Sequence, residues 1–495
     1  MNDAKAPLRL LVASNRGPVS FRRGDDGSLA VSRGGGGLVS GLSSVAGHQD
    51  LLWVCAALSD ADRAAARSAP GGMLGLDGAA GGSSVRMLDI PAATFGRAYN
   101  TVANSVLWFV HHMLYDTPNQ PQFGLAFQRD WEAYREYNMA FAKALAGAAA
   151  MPGSAGSPGI RALIQDYHLT LAPRMLAELS PGVRIAHFSH TPWAPPQYFR
   201  LLPDAVAAEV LEGILGADHA GFLSRRWADA FTQCCEQVLG ATVDRERTTV
   251  SHRGHVTGIG VHPLGVDGPE LVARGDEQDV RARMQALAEQ IGDRKLIVRV
   301  DRSELSKNIV RGLVAYREML LTHPELHGNV MLLALAYPSR HDLPEYREYA
   351  ASVQRVAGAV NDEFGTPEWS PIVLSSHDDY PRSLAGYRLA DVLLVNPIRD
   401  GMNLVAKEGP ILSDRDCVLV LSREAGAADE LGEYAQMVNP FDVSGTAAAL
   451  YEALMMPMDE RVRRCKALAA AGAAEPPSKW LAGQLDALDK LKAWG

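Results

Sequence analysis

The apolar run Asp391-Val392-Leu393-Leu394-Val395, followed after Asn396-Pro397-Ile398 by Arg399-Asp400-Gly401-Met402-Asn403-Leu404-Val405-Ala406-Lys407-Glu408, decides how this chain reads. Consecutive apolar residues without alternation suit a strand covered on both faces, as in a parallel sheet. Asp400 stands where a helix N-cap is expected, and Gly401 leaves the backbone open to close approach. A helix starting there aims its first amides, near Met402, Asn403 and Leu404, above the strand end, which suits an anion. Glu408 follows Asp400 by about two helical turns, so both carboxylates are expected to face one cleft. A carboxylate for sugar hydroxyls, amides for phosphate and a second carboxylate for a ribose together suggest a nucleotide-sugar site.

The same alternation of strand and helix extends outward from that stretch. Lys295–Val300, Val330–Leu335, Ile372–Leu374 and Val418–Leu421 read as further strands of the second half. Leu8–Ala13, Ala162–Ile164, Val183–Phe188 and Ala220–Leu223 do so in the first. Such βα series predict open parallel sheets covered by helices, an α/β fold. The pattern breaks around Pro263-Leu264-Gly265-Val266-Asp267-Gly268, which divides the chain into domains 1–267 and 268–475. Two such domains are expected to present their strand C-termini across a cleft, where open α/β sheets bind ligands.

A chain of 495 residues is too long for one core. Its 47% hydrophobic and 21% charged residues are ordinary for a soluble globular protein. A net charge of −9 argues against nucleic-acid or membrane-surface partners. The five cysteines lack metal-ligand spacing, and no apolar stretch is long enough to span a bilayer. With no secretory signal at its start, a cytoplasmic location is expected.

Several clusters could carry chemistry. Gly34–Gly37 form a loop before an apolar stretch, readable as a flexible connection or as backbone that closes on a phosphate. Arg302 and Lys307 leave the strand ending at Val300, where two cations can hold a diphosphate and neutralise a leaving group, though exposed bases after a strand are commonly just solvated. Gln165-Asp166-Tyr167-His168 and Ser189-His190-Thr191-Pro192 each follow a strand, the usual place for site residues. Tyr99 and Trp108 read most simply as core aromatics, and Arg340 as a surface charge. Asp378-Asp379 and Asp414-Arg415-Asp416 lack the helpers of a Mg²⁺ site, so no metal is expected.

Together these pieces resemble the trehalose-6-phosphate synthase family, retaining glycosyltransferases of family 20 with the GT-B fold of two Rossmann-like domains. The resemblance spans nearly the whole chain, from Ser14-Asn15-Arg16 to Asn439-Pro440-Phe441. It implies acceptor contacts from Arg16, Tyr99, Trp108, Asp166 and Arg340. It implies donor contacts from Gly36, Gly37, His190, Arg302, Lys307, Asp400, Gly401, Met402, Asn403, Leu404 and Glu408. Arg302, Lys307, His190 and Asp400 carry the catalytic roles. The resemblance further implies transfer of glucose from UDP-glucose or GDP-glucose to glucose-6-phosphate, with neither metal nor other cofactor. A homo-oligomer, dimer or tetramer, and a first domain completed by a C-terminal helix over about 476–495 are also implied.

The family pattern DRLDYSKG appears here as Asp301-Arg302-Ser303-Glu304-Leu305-Ser306-Lys307-Asn308, so the bases stay while the aromatic and the glycine go. A tryptophan common in the family shortly after the Trp53 position is Ala56 or Ala57. These departures bear on the donor base and the acceptor fit. Rival readings are a pseudo-glycosyltransferase joining a cyclitol donor to an aminocyclitol phosphate, a synthase-like regulatory subunit, and transfer to a different acceptor such as glycerol-3-phosphate. Intact Arg399 and Lys407 favour the synthase.

Overall fold

The structure, a computed structural model, describes residues 10–24, 26–33, 51–74, 84–150, 159–340 and 343–490. The chain divides into two compact units, Met1–Pro263 with Pro477–Gly495, and Leu264–Pro476.

In the first unit the strands are β1 (Leu10–Ala13), β2 (Val19–Arg23), β3 (Leu29–Arg33), β4 (Leu51–Ala56), β5 (Met73–Leu74), β6 (Ser84–Leu88), β7 (Arg161–Gln165), β8 (Arg184–Ser189), β9 (His219–Phe222), β10 (Thr242–Asp244), β11 (Thr249–His252) and β12 (His255–Val261). Ten of them form a sheet in the order β10-β11-β12-β9-β8-β7-β1-β4-β6-β5, while β2 and β3 pair as a separate hairpin. The centre is parallel, as the βα alternation predicts. The edges correct that expectation, because β5 and the β10-β11-β12 series are antiparallel. One cause is local: Arg253 and Gly254, between the paired His252 and His255, both have positive φ, at 47° and 80°. A two-residue turn with that twist closes a tight hairpin.

The second unit holds β13 (Lys295–Arg302), β14 (Val330–Tyr337), β15 (Ile372–Ser375), β16 (Val392–Val395), β17 (Val418–Ser422) and β18 (Gln436–Val438). All pairs are parallel, in the order β15-β14-β13-β16-β17-β18. The run Val392–Val395 lacks alternation because both of its faces are covered. Val392 and Leu394 join a core with Ile309, Leu313 and Leu450. Leu393 points the other way, against Gly409 of the helix Val405–Leu412, where an added Cβ would sit 2.4 Å from Leu393 Cδ2.

Strand order locates the ligand-binding crevice of each sheet. In the second unit the chain runs β13 to β15 in one direction and then restarts beside β13 with β16, so the order reverses between those neighbours. In the first unit the reversal falls between β1 and β7. Loops at such a reversal diverge to opposite faces of the sheet and open a crevice beyond the strand C-termini.

Candidate active site

Two loops leave the β13–β16 reversal. The first follows Arg302 through a short helical turn, Leu305–Lys307, and Asn308 then adopts a left-handed conformation, φ 58°, at the start of the helix Ile309–Thr322. Beneath it Arg299, fully buried, donates to Asp301 Oδ2 at 2.7 Å and to the Lys307 carbonyl at 3.1 Å, fixing the turn from below. Asn308 replaces the family's glycine at no cost in fold, because asparagine tolerates this φ. Its Nδ2 also donates to the carbonyls of Asn396, 3.0 Å away, and Pro440, 2.7 Å away.

The second loop, after β16, corrects one expectation. Asp400 is not a helix N-cap: the helix begins at Val405, and Asp400 lies in an irregular segment bridged to Ala425. Asp400 N donates to Glu424 O and Gly426 N returns a bond to Asp400 O. Gly426 packs so tightly on the Gly401 carbonyl that no side chain fits there. Asn403, with φ 86°, accepts from Ala406 N and so serves the helix start in place of Asp400. Glu408 consequently sits in the first turn of the helix rather than two turns along it. Burial raises its pKa against the lowering effect of the Tyr387 hydroxyl bonded to it.

These loops meet. Lys307 Nζ donates to Asp400 Oδ2 at 2.6 Å, and Asn403 Nδ2 donates to the same oxygen at 3.1 Å. Burial works against the Lys307 charge, but Asp400 and Asp301 outweigh it and raise the pKa. Arg302 is half exposed, with Nη1 3.2 Å from Glu304 Oε1, and Arg340, after β14, lies 3.2 Å from that same oxygen. Glu304, between the two bases of the motif, is a site residue that the sequence does not mark, because its second cation, Arg340, comes from the next strand.

Lys407 is placed elsewhere. Fully buried, its Nζ donates to both carboxylate oxygens of Glu430 at 2.8 Å and to the Leu264 carbonyl at 3.0 Å. Its presence therefore speaks to packing of the helix and says little about the donor.

In the first unit the reversal brings the loops after β1 and β7 side by side. Ser14 and Asn15 are buried: Trp53 Nε1 donates to Ser14 Oγ at 2.7 Å and Tyr137 OH to Asn15 Oδ1 at 2.5 Å, leaving Arg16 exposed. Asp166 has φ 74°, a strained value for a residue with a side chain. Its Oδ1 accepts from His190 N at 3.1 Å, joining the ends of β7 and β8.

His190 Nε2 lies 2.9 Å from Gln165 Oε1, so with the amide oxygen facing the ring that nitrogen carries the proton. Burial, then the neighbouring His187, lower the His190 pKa to about 3, and the ring is neutral near pH 7. Tyr99 stacks between Phe95 and His168, with ring centroids 5.1 and 5.5 Å away. Trp108 packs on His112 and on Tyr167, whose hydroxyl donates to Asn104. Tyr99 lies within, and Trp108 directly after, a π-helical segment, Gly96–Leu107, that sequence periodicity could not announce. Both are packed among aromatics and both adjoin the Asp166 loop through Tyr167 and His168.

Arg16, Tyr99, Trp108, Asp166 and His190 thus belong to the first unit, and Arg302, Lys307, Arg340, Asp400, Asn403 and Glu408 to the second. Gly36 and Gly37 lie outside the described residues. Among the described residues no group of three or more His, Cys, Asp or Glu side chains is arranged to hold a metal ion. No helix among them is long and apolar enough to cross a membrane.

A sequence model of glycosyltransferase family 20 matches residues 8–490. The chain belongs to glycosyltransferase family 20. This family-20 chain is 34% identical over 473 residues to a bifunctional trehalose-6-phosphate synthase/phosphatase from Thermoproteus tenax, covering 93% of its own length and 61% of that protein. It is 32% identical to a trehalose-6-phosphate synthase from Mycobacterium sp. (strain JLS), with 98% and 96% covered. A solved E. coli trehalose-6-phosphate protein bound with UDP-2-fluoro glucose superimposes with a TM-score of 0.83 at 26% identity, covering 98% of this chain and 99% of that one. The fold of this family-20 glycosyltransferase is α/β, of the GT-B class, with two Rossmann-like parallel-sheet units.

Proposed function

We infer that the chain is a retaining trehalose-6-phosphate synthase, moving glucose from a nucleotide-glucose to glucose-6-phosphate. The observation that carries this is the convergence of Arg302, Lys307 and Asp400 at the reversal of the second sheet, joined by the Lys307–Asp400 contact of 2.6 Å. A carboxylate for glucose hydroxyls beside two cations for a diphosphate is what a sugar nucleotide requires. Glu408 takes the ribose, and the segment from Gly401 to Leu404 lines the donor. His190, a neutral ring with its Nε2 proton committed to Gln165, has Nδ1 left to accept a hydrogen bond from a hydroxyl of the donor sugar and brings no charge. Arg16, Tyr99, Trp108, Asp166 and Arg340 take the acceptor, the arginines at its phosphate.

In the transfer the bond between glucose C1 and the diphosphate oxygen breaks while the acceptor hydroxyl oxygen bonds to C1 on the same face. The departing phosphate oxygen takes the hydroxyl proton, and the products are trehalose-6-phosphate and a nucleoside diphosphate. Arg302 and Lys307 stabilise the charge that develops on the leaving group, so the protein contributes position and electrostatics. No step calls on a metal or a second facing carboxylate. Several relatives carry names of UDP-forming synthases, and neither the cyclitol-joining nor the non-catalytic alternative gains support from them. A cytoplasmic setting agrees with five buried free thiols, and we assign a homo-oligomer on the family resemblance alone.

The test is incubation of the full chain with glucose-6-phosphate and UDP-, GDP- or ADP-glucose in turn, with the product identified by mass and NMR. An α,α-linked disaccharide phosphate is expected with at least one donor. Nucleoside diphosphate release without it overturns the assignment.

A further inference from the structure

We propose that Glu304 is a positioning residue that sets Arg302 and Arg340 as one rigid pair of phosphate clamps by serving as their shared counter-ion. The proposal rests on the functional reading above, in which Arg302 takes the donor diphosphate and Arg340 the acceptor phosphate.

Glu304 stands where the loops after two neighbouring parallel strands meet. Arg302 lies at the end of β13, in register with Tyr337 at the end of β14, and Ser339 and Arg340 follow Tyr337. One oxygen, Glu304 Oε1, takes all three contacts: Arg302 Nη1 at 3.2 Å, Arg340 Nη1 at 3.2 Å and the Ser339 hydroxyl at 2.8 Å. The carboxylate is fully buried, and its second oxygen has no hydrogen-bond partner among the described residues. A buried carboxylate is costly to desolvate and stays ionised only when cations compensate it.

Burial alone would raise the Glu304 pKa, yet Arg302, Arg340 and Lys307 together lower it to about 2. Main-chain bonds fix its place, from Glu304 N to Arg302 O at 2.7 Å and from Lys307 N to Glu304 O at 3.0 Å. The same Arg340 Nη1 also donates to the Tyr346 hydroxyl, 3.0 Å away, which adds a second anchor to that guanidinium. Two guanidiniums brought to one oxygen would repel each other without it. A fork held in one orientation loses less freedom when it closes on a phosphate.

Sign separates this role from a through-space charge effect. If Glu304 only lowered the local potential, removing its charge would tighten every anion. If it positions the arginines, removing its charge weakens both ligands. The experiment is calorimetric titration of the full chain with nucleoside diphosphate and, separately, with glucose-6-phosphate. It compares wild type, Glu304→Gln and Glu304→Asp, together with Glu304→Gln in the Arg302→Ala and Arg340→Ala backgrounds.

Glu304→Gln is expected to weaken both ligands about tenfold, and Glu304→Asp, which restores the acid of the family pattern, to stay within about threefold of wild type. In Arg302→Ala the further change should vanish for the diphosphate and persist for glucose-6-phosphate, with the reverse in Arg340→Ala. Should Glu304→Gln not fold, the two arginine variants still decide. Loss of Arg340 leaves the Glu304 carboxylate held from fewer sides and Arg302 less firmly placed, so it should weaken diphosphate binding about threefold, and an unchanged value overturns the proposal. Tighter or unchanged binding in Glu304→Gln, or equal effects in every background, also overturns it while leaving the functional reading intact. A wild-type chain that binds neither ligand overturns both.

Discussion

Lys307 and Asp400, 93 residues apart in sequence, form a 2.6 Å ion pair at the reversal point of the second sheet. The pair joins the residue assigned to the leaving diphosphate and the residue assigned to the glucose. Each therefore has to exchange its partner for substrate, and each holds the other in place beforehand. Lys307→Ala should lower kcat by about 100- to 1,000-fold, the usual effect of removing one preorganised charge from a transition state. Asp400→Asn should fall comparably, and the double variant should lose much less than the product of the two, because either change already breaks the pair. Steady-state release of nucleoside diphosphate in the presence of glucose-6-phosphate reads all three. Additive losses would show that the contact carries no coupling.

Glu408 predicts a pH effect confined to the donor. Burial raises its pKa above the usual carboxylate range, with the Tyr387 hydroxyl opposing. A ribose hydroxyl donates best to the ionised form, so donor affinity should weaken as pH falls and protonates Glu408. The KM for nucleotide-glucose should rise between pH 7 and pH 5 while that for glucose-6-phosphate changes less. Glu408→Gln should raise the donor KM about 10- to 100-fold and flatten its pH dependence. A Glu408→Gln profile that keeps the wild-type slope would assign the effect to another group.

Much of this was legible in the sequence, and the parts that were not share a physical cause. Val392–Val395 and Lys295–Val300 announce themselves because a strand covered on both faces needs no polar positions. Asp400, Arg302 and Lys307 stand out because they follow such strands closely, where open α/β sheets bind ligands. The helix start was misplaced because Asp400-Gly401 carries the local signature of an N-cap. The glycine is instead used for contact with Gly426, a tertiary demand with no trace in the neighbouring residues. Glu304 went unseen for a similar reason: its partner Arg340 comes from the next strand. The π-helical turn at Gly96–Leu107 shifts residue spacing in a way that helical periodicity does not encode.

Asn308 separates backbone strain from side-chain bonding. Its φ of 58° is tolerated by asparagine and glycine but not by alanine, and its Nδ2 ties Asn396 to Pro440. Asn308→Ala loses both advantages and should cost about 2–4 kcal/mol, while Asn308→Gly keeps the backbone geometry and should cost about 1–2 kcal/mol less than that. Urea unfolding followed by tryptophan fluorescence measures the difference. Equal losses in the two variants would mean that the left-handed conformation contributes no strain.

Four histidines of the first unit predict how its stability responds to acid. Burial lowers the pKa of His187 to about 4, and of His262 to about 4. Burial together with a neighbouring histidine lowers His190 and His219 to about 3. His219 and His262 also share a contact of 2.8 Å between their Nε2 atoms, which one proton bridges and a second would break. Each of these groups has its ordinary value, 6.5, in the unfolded chain. Above that pH both states are neutral, and these residues make no pH-dependent contribution. As pH falls below it the unfolded chain binds protons that the folded chain refuses, so stability declines until the folded values near 3 to 4 are reached. The slope approaches about 1.4 kcal/mol per pH unit for each histidine at most. Unfolding free energy should therefore be level from pH 8 to 7 and fall between pH 6.5 and 5.5, above the range where ordinary carboxylates titrate. His262→Gln should make that fall shallower, because it removes one of the four and relieves His219. An unchanged slope in His262→Gln, or a wild-type curve that stays flat down to pH 5.5, would show that these rings accept protons in the folded state.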